Sequence, residues 1–499
     1  MAWPAHICIV GGGTAGWLAA LMLRDAAERA KAPIRFTVVE SSKIGTIGVG
    51  EGTTAVFRMM LRHLGIDEMD FLRETGATIK FGIRHRDWRR LGHSYDGPID
   101  DPTQVTGRTG NWLDAYQVGA GKPVADPHLF AHLMAKGKSP YGRRGDKLLP
   151  LGPFHHAFHF DQALAGKFLK KQAQGIDIID DQVIGIETGT AGIERLRFES
   201  GAELSADFFI DCTGFKRALI GPLGAKWQSY GDVLPVNRAM PFWLDIPDGE
   251  EIDPVTLAWA QKSGWMWRIP TQERYGCGYV YSDAHTTPEE AQREIEAALG
   301  HPITPRADIE IDAGRLDRQW IGNTVALGLS SSFLEPLEAT SIHGTIVQLM
   351  MLAALMGTSE AETRFNAACA RQVDDFRDFI RLHYASERRD SAFWCDVAES
   401  HPQSVRDLAA RAAQKIPGPE DFTPLPMSLP HVGHQLVNPV LDGLGLLSKA
   451  AGKATLPATE RPKARKTAQE LISEYKRAAS KAIGHRAFLT HLRQKDPVT

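Results

Sequence analysis

Three glycines stand at a spacing that can do chemistry. In Ile7-Cys8-Ile9-Val10-Gly11-Gly12-Gly13-Thr14-Ala15-Gly16, residues Gly11, Gly13 and Gly16 fall in G-x-G-x-x-G register between an apolar run and an alanine- and leucine-rich one. The first glycine permits a tight turn, the second lets a pyrophosphate approach backbone amides at a helix N-terminus, and the third lets helix and strand pack closely. Thr14 and Ala15 belong to the same turn. The next apolar run, residues 34–39, ends in Glu40, about 20 residues beyond the last glycine, where a carboxylate accepts ribose hydroxyls. Strand, helix, second strand and terminal acid in that order point to a dinucleotide; the motif does not separate FAD from NAD.

Other stretches hold reactive residue types. Residues 44–54 carry closely spaced glycines, Gly48 and Gly50 among them, that let backbone amides approach a ligand and make a second cofactor contact. Lys80, in Thr78-Ile79-Lys80-Phe81-Gly82, is flanked by glycine and apolar residues instead of lying on a solvated face. Residues 330–341 set hydroxyl groups ahead of a long apolar helix, whose N-terminus can hold an anion.

The elements that must position these groups alternate strand and helix. Residues 208–211 read as a buried strand ending in Asp211, beside the cofactor in a doubly wound sheet, and residues 324–329 as another, ending near Gly328. Leading up to Asp211, residues 176–186, 193–198 and 206–210 alternate apolar and polar positions as a small antiparallel meander. Residues 84–124, rich in Gly, Asp, Pro and Thr with isolated aromatics, read as long loops. The expected fold class is α/β: a doubly wound, FAD-binding nucleotide fold like that of flavin monooxygenases, with a substrate-binding sheet and a C-terminal helical cap. The expected division is 1–223 for the cofactor-binding region, 224–320 for the substrate-binding strands, 321–357 for the return to the cofactor core and 358–499 for the helical region.

At 499 residues, with 43% hydrophobic and 23% charged residues and a formal net charge of −3, the composition gives no general attraction for nucleic acid or acidic membranes. The five cysteines are scattered without C-x-x-C spacing, which argues against a disulfide framework or a zinc site, so no metal is expected. No apolar run reaches the ~20 residues needed to span a bilayer. A cytoplasmic protein is expected.

Gly11-Gly12-Gly13-Thr14-Ala15-Gly16-Trp17, taken with Trp265-Met266-Trp267-Arg268-Ile269-Pro270, resembles the flavin-dependent tryptophan halogenase family, whose paired signatures are G-x-G-x-x-G and W-x-W-x-I-P. Lys80, residues 333–341, Leu382-His383-Tyr384 and residues 389–394 extend the match to about residue 396. The resemblance implies that reduced FAD (FADH2), supplied by a separate NAD(P)H-dependent flavin reductase, reacts with O2 so that a halide, chloride or bromide, becomes hypohalous acid. That oxidant then travels inside the protein to a small aromatic substrate. It further implies that Lys80 binds or captures the oxidant, that Glu338 assists activation or stabilises the charged arene intermediate, and that amides at Thr340 and Ser341 hold the halide. Glu335 is the nearby rival, but the family pattern selects the glutamate two residues before the threonine. Trp265, Trp267, Ile269 and Pro270 would separate flavin from substrate. A Lys/Glu pair suits such work, because desolvation lowers a lysine pKa while a neighbouring carboxylate raises it.

Family members that take free tryptophan hold its amino acid moiety with tyrosines, a glutamate and an asparagine of a C-terminal aromatic segment. No tyrosine occurs here between Tyr384 and Tyr475. An indole-like or other electron-rich aromatic is therefore expected. A flavin monooxygenase and a non-catalytic flavin-binding protein are the alternatives. Members of the family are often dimers, which brings a homodimer into view.

Overall fold

The computed structural model describes residues 3–45, 50–145 and 147–494. Its first sheet has the order Asp177–Asp180, Arg35–Glu40, His6–Val10, Phe208–Asp211, Thr324–Ala326, Trp320–Ile321. All neighbours pair in parallel except the last two. The strand residues Ile7 to Val10 and Phe208 to Asp211 are buried throughout, as expected of strands covered on both faces. The helix Thr14–Arg29 springs from the glycine turn and packs against the later helix Thr340–Leu355, so the two halves of the cofactor region meet. This is the α/β nucleotide fold that the glycine motif demands.

The meander differs from expectation at both ends. Asp177–Asp180 pairs with Arg35–Glu40 and lengthens the parallel sheet. The antiparallel strands are Val183–Gly189, Gly192–Phe198 and Glu203–Leu204, while Phe208–Asp211 returns to the parallel sheet beside His6–Val10. The alternating pattern runs without a break across a turn where the chain changes sheets.

The second large sheet has seven strands in the order Ile309–Glu310, Arg238–Asp245, Arg274–Tyr281, Gly264–Pro270, Thr256–Ala260, Gly82–Arg86, Ser94–Pro98. Two of its strands come from the region expected to be loops. Gly82–Arg86 and Ser94–Pro98 form a hairpin added to the sheet through a parallel pairing with Thr256–Ala260. Helices Thr103–Thr106 and Trp112–Gly119 follow. A small antiparallel sheet of Glu51–Gly52, Ala157–Phe160 and Thr78–Lys80 joins the two large ones, and the chain leaves it at Lys80 to enter the seven-stranded sheet at Gly82. Lys80 therefore lies at the junction, at the end of an edge strand paired with Ala157–Phe160.

Beyond residue 358 the chain is mostly helical, beginning with Ala361–His383, a 23-residue helix that ends at His383. Near the end the helical region is interrupted: Arg461–Lys481 gives way to a strand, Ala482–Gly484, paired with Lys138–Arg144, before His485–Gln494. Among the described residues no helix is long and apolar enough to cross a membrane.

Candidate active site

The glycine turn passes a steric test. Gly11 has φ of 121°, and a Cβ there would lie 2.2 Å from the Cys212 carbonyl oxygen; one at Gly16 would lie 1.8 Å from that of Gly11. A Cβ at Gly13 would meet nothing within 4 Å. Two glycines are thus required by packing, and the middle one faces open space at the start of Thr14–Arg29, where a pyrophosphate needs it. Thr14 and Ala15 are the first residues of that helix. Glu40 ends its strand, covers Gly12 and pairs with Lys170. Gly328, at φ of 62°, turns the chain against the Cβ of Ala15. Gly50 is likewise left-handed, at φ of 74°; Gly48 lies outside the described residues.

Asp211 sits at the end of its strand next to His6–Val10 but spends its carboxylate on the protein. Oδ1 accepts from the Thr213 amide and hydroxyl and from Ser330, and Oδ2 accepts from the Leu219 and Ile220 amides. It holds the loop beside the glycine turn and leaves no acceptor for a cofactor.

Lys80 is 2% exposed, and its Nζ has no hydrogen-bond partner among the described residues. It lines a cavity of about 20 Å³, room for one water-sized molecule. Glu338, Trp265, Ile269 and Thr256 line it too. Burial lowers the lysine pKa to about 8, against an upward pull from Glu338. The two groups share a cavity without forming a salt bridge.

Glu338 is held in an unusual backbone conformation, φ 65°, followed by Ala339 at φ 54°. Two consecutive left-handed non-glycine residues cost energy that the surrounding packing must sustain, and such strain gathers at functional sites. The turn aims the carboxylate at two imidazoles. His383 Nε2 lies 3.0 Å from Glu338 Oε1, and His85 Nε2 lies 3.6 Å from the same oxygen. Burial pushes the Glu338 pKa up, but the hydrogen bond with His383 and the nearness of the His85 imidazole together outweigh it and hold the carboxyl well below its usual range.

Glu335 has a different task. It is fully enclosed, accepts from Trp265 Nε1 at 2.6 Å and from the Tyr384 hydroxyl at 2.5 Å, and burial raises its pKa to about 7. It fixes the tryptophan that walls the Lys80 cavity and does not line that cavity itself. Trp265, Trp267 and Ile269 alternate along Gly264–Pro270; Trp265 and Ile269 reach the cavity, whereas Trp267 lies over Gly278. The Pro270 carbonyl accepts from Thr78 at 2.7 Å, which ties the strand of tryptophans to the strand of Lys80.

Thr340 and Ser341 open the helix Thr340–Leu355 and border a second cavity of about 20 Å³ with Gly328, Ser331 and Gly344. A larger cavity, about 700 Å³, lies between the hairpin Gly82–Arg86/Ser94–Pro98 and the segment from Pro439 to Lys449. Tyr95 forms part of its wall and stacks on His85 with ring centroids 4.5 Å apart at 11°. That size suits a drug-sized organic molecule.

Sequence reasoning missed His85, His383 as a partner of Glu338, and Tyr95. Leu382-His383-Tyr384 carries the resemblance without announcing a partner for His383, and His85 lies in the stretch that reads as loops. Among the described residues, His85, Glu338 and His383 form the one group whose donor atoms lie within 4.8 Å of one another in a spacing that a metal could use. Within it His383 Nε2 and Glu338 Oε1 meet at hydrogen-bond distance, while His85 Nε2 stands at 3.6 Å.

A family model described as tryptophan halogenase matches residues 6–423. A 7-chloro-L-tryptophan 6-halogenase, KtzR of Kutzneria sp. (strain 744), is 32% identical over 526 residues, covering 98% of this chain and 99% of its own. BrvH, a flavin-dependent halogenase from Brevundimonas sp. BAL3, has a similar structure, with a TM-score of 0.84 at 31% identity over 99% of both chains. A tryptophan halogenase from Shewanella frigidimarina NCIMB 400 gives a TM-score of 0.89 at 26% identity, over 99% of this chain and 98% of its own.

Proposed function

Because the chain belongs to the tryptophan halogenase family, we propose that it uses FADH2, O2 and chloride or bromide to form hypohalous acid and halogenates an indole-like or other electron-rich aromatic by electrophilic substitution. The observation that carries this reading is the buried cavity shared by Lys80 and Glu338 and walled by Trp265 and Ile269.

FAD would be held by Gly11, Gly13, Thr14, Ala15 and Gly16 at the helix N-terminus, with Glu40 at the ribose and Gly50 and Gly328 as further contacts. When bound and reduced, it supplies with O2 the oxidising equivalents for the halide. The amides of Thr340 and Ser341 suit the halide, since the first turn of a helix leaves N–H groups free for an anion. The Lys80 ammonium donates to the oxygen of hypohalous acid as the halogen leaves it, and Glu338 receives the proton that the arene loses. Trp265 and Ile269, with Trp267 and Pro270 behind them, keep the organic substrate from the flavin. Residues 1–223 and 321–357 make the cofactor region, 224–320 the substrate-facing strands and 358–499 the cap.

The 700 Å³ cavity beside Tyr95 is the substrate site in this reading. Its C-terminal wall consists of Pro439, Asp442, Gly443, Gly445, Leu447 and Lys449, with no tyrosine or tryptophan to grip a free amino acid. A substituted indole, a phenol or an indole within a larger molecule fits such a wall. A separate NAD(P)H-dependent reductase supplies FADH2, and the enzyme works in the cytoplasm, as a homodimer where it follows its relatives. Mass spectrometry of reactions with FAD, a flavin reductase, NADH, bromide or chloride, and a panel of indoles, phenols and free tryptophan tests the assignment. Halogenated indoles or phenols exceeding halogenated tryptophan support it. Oxygenated products independent of halide contradict it.

A further inference from the structure

Resting on the halogenase reading, we infer that His85 is a positioning residue that takes over the arene proton from Glu338. Both nitrogens of His85 are buried and lack any hydrogen-bond partner, although the side chain is fully enclosed. An orphaned buried imidazole is costly and calls for a use. His85 faces Glu338 from the Pro336–Ala339 turn, His383 from the helix Ala361–His383, and Tyr95 and Asp96 from the neighbouring strand.

The hydrogen bonds of His383 leave the task to a second imidazole. Its Nδ1 lies 2.9 Å from the Phe379 carbonyl, which can only accept, so Nδ1 carries a hydrogen. Its Nε2 lies 3.0 Å from Glu338 Oε1, and that bond also needs a hydrogen. His383 thus spends both ring nitrogens on existing hydrogen bonds, and neither is open to a further partner. Those of His85 are open. Burial lowers its pKa, so it begins neutral, with a lone pair available to Nε2 at 3.6 Å from Glu338, just beyond hydrogen-bond length.

The steps balance. The O–X bond of hypohalous acid breaks, the C–X bond forms, and the departing hydroxide takes a proton from Lys80 to become water. The arene C–H bond then breaks, its electron pair returns to the ring, and the proton passes to Glu338 and on to His85 Nε2. The proton gained by the Glu338–His85 pair equals the one given up by Lys80, so its return resets the site.

The test compares native enzyme with His85→Phe and His85→Gln, using ordinary indole and indole deuterated at the halogenated carbon. Expected are retained FAD binding, a fall in product formation of about tenfold or more, and a hydrogen isotope effect that rises from near unity in both variants. Added imidazole should restore rate to His85→Ala. Unchanged rates and isotope effects in the variants overturn the inference while native halogenation stands; a native enzyme that makes no halogenated product overturns the underlying reading instead. Stoichiometric zinc or iron in purified native protein, lost from His85→Phe, also overturns it in favour of a metal site.

Discussion

Lys80 and Glu338 line one buried cavity yet do not pair with each other; the carboxylate is taken by His383 at 3.0 Å, which leaves the lysine nitrogen open to whatever enters. A direct salt bridge would fill the cavity and raise the lysine pKa. Separation keeps the ammonium available, with its pKa lowered to about 8 by burial.

Halogenation should fall as pH rises through about 8, because the donating form of Lys80 is lost there. A pH–rate profile at saturating FADH2 checks this. Glu338 pulls the lysine pKa upward, so Glu338→Gln should move that limb to lower pH as well as slow the reaction. A limb that stays in place assigns it to another group.

The same lysine makes folding depend on pH. Its folded pKa, about 8, is below the ordinary lysine value of 10.5, so between these values the unfolded chain binds more protons and stability rises with pH; below pH 8 the cost is fully present. Lys80→Met removes it. Denaturant melts at pH 7 should show the variant more stable, on the order of 3 kcal/mol by the size of the shift, though inactive. A destabilised variant would mean that Lys80 contributes more packing than strain.

Glu335 and Glu338 should respond oppositely to substitution. Glu335→Gln still offers an oxygen to Trp265 and Tyr384 and should keep halogenation within a few-fold, while Glu335→Ala orphans both donors and should cost about 1–3 kcal/mol in chemical melts. Glu335 has a raised pKa of about 7, so its folded form binds the extra proton between about 4.5 and 7, and native stability falls as pH climbs through that window. Glu335→Gln should flatten this slope. Equal losses of activity in Glu335→Gln and Glu338→Gln would contradict the division of labour.

The glycine turn gives a third contrast. Gly13→Ala has free space for its methyl group and should fold normally, with FAD affinity reduced, as fluorescence titration can measure. Gly16→Ala drives its methyl into the Gly11 carbonyl at 1.8 Å and should lose stability and FAD together. Comparable stability in the two would refute the packing argument.

The nucleotide fold was legible because its signals are local: Gly11, Gly13, Gly16 and Glu40 lie within one strand–helix–strand unit, each under a steric or polar demand visible in the chain. The hairpin Gly82–Arg86/Ser94–Pro98 was not. Ser94-Tyr95-Asp96-Gly97-Pro98 ends in three residues that strands disfavour, and it is held as a strand by Gly82–Arg86, itself paired with Thr256–Ala260. With the hairpin went His85 and Tyr95. Glu338 and Lys80 were found through the resemblance, but the direction of the carboxylate depends on a left-handed turn at Glu338 and Ala339, a conformation that neither residue type announces. Asp211 shows the converse: a strand-end acid in the expected place, whose oxygens the protein itself uses.

The measurement closest to the central claim is product mass spectrometry of native enzyme and Lys80→Ala, each loaded with FAD and supplied with reductase, NADH, indole and bromide. The account predicts product with the bromine isotope pattern from the native enzyme and none from the variant despite equal bound FAD. Brominated product from Lys80→Ala at the native rate would contradict it.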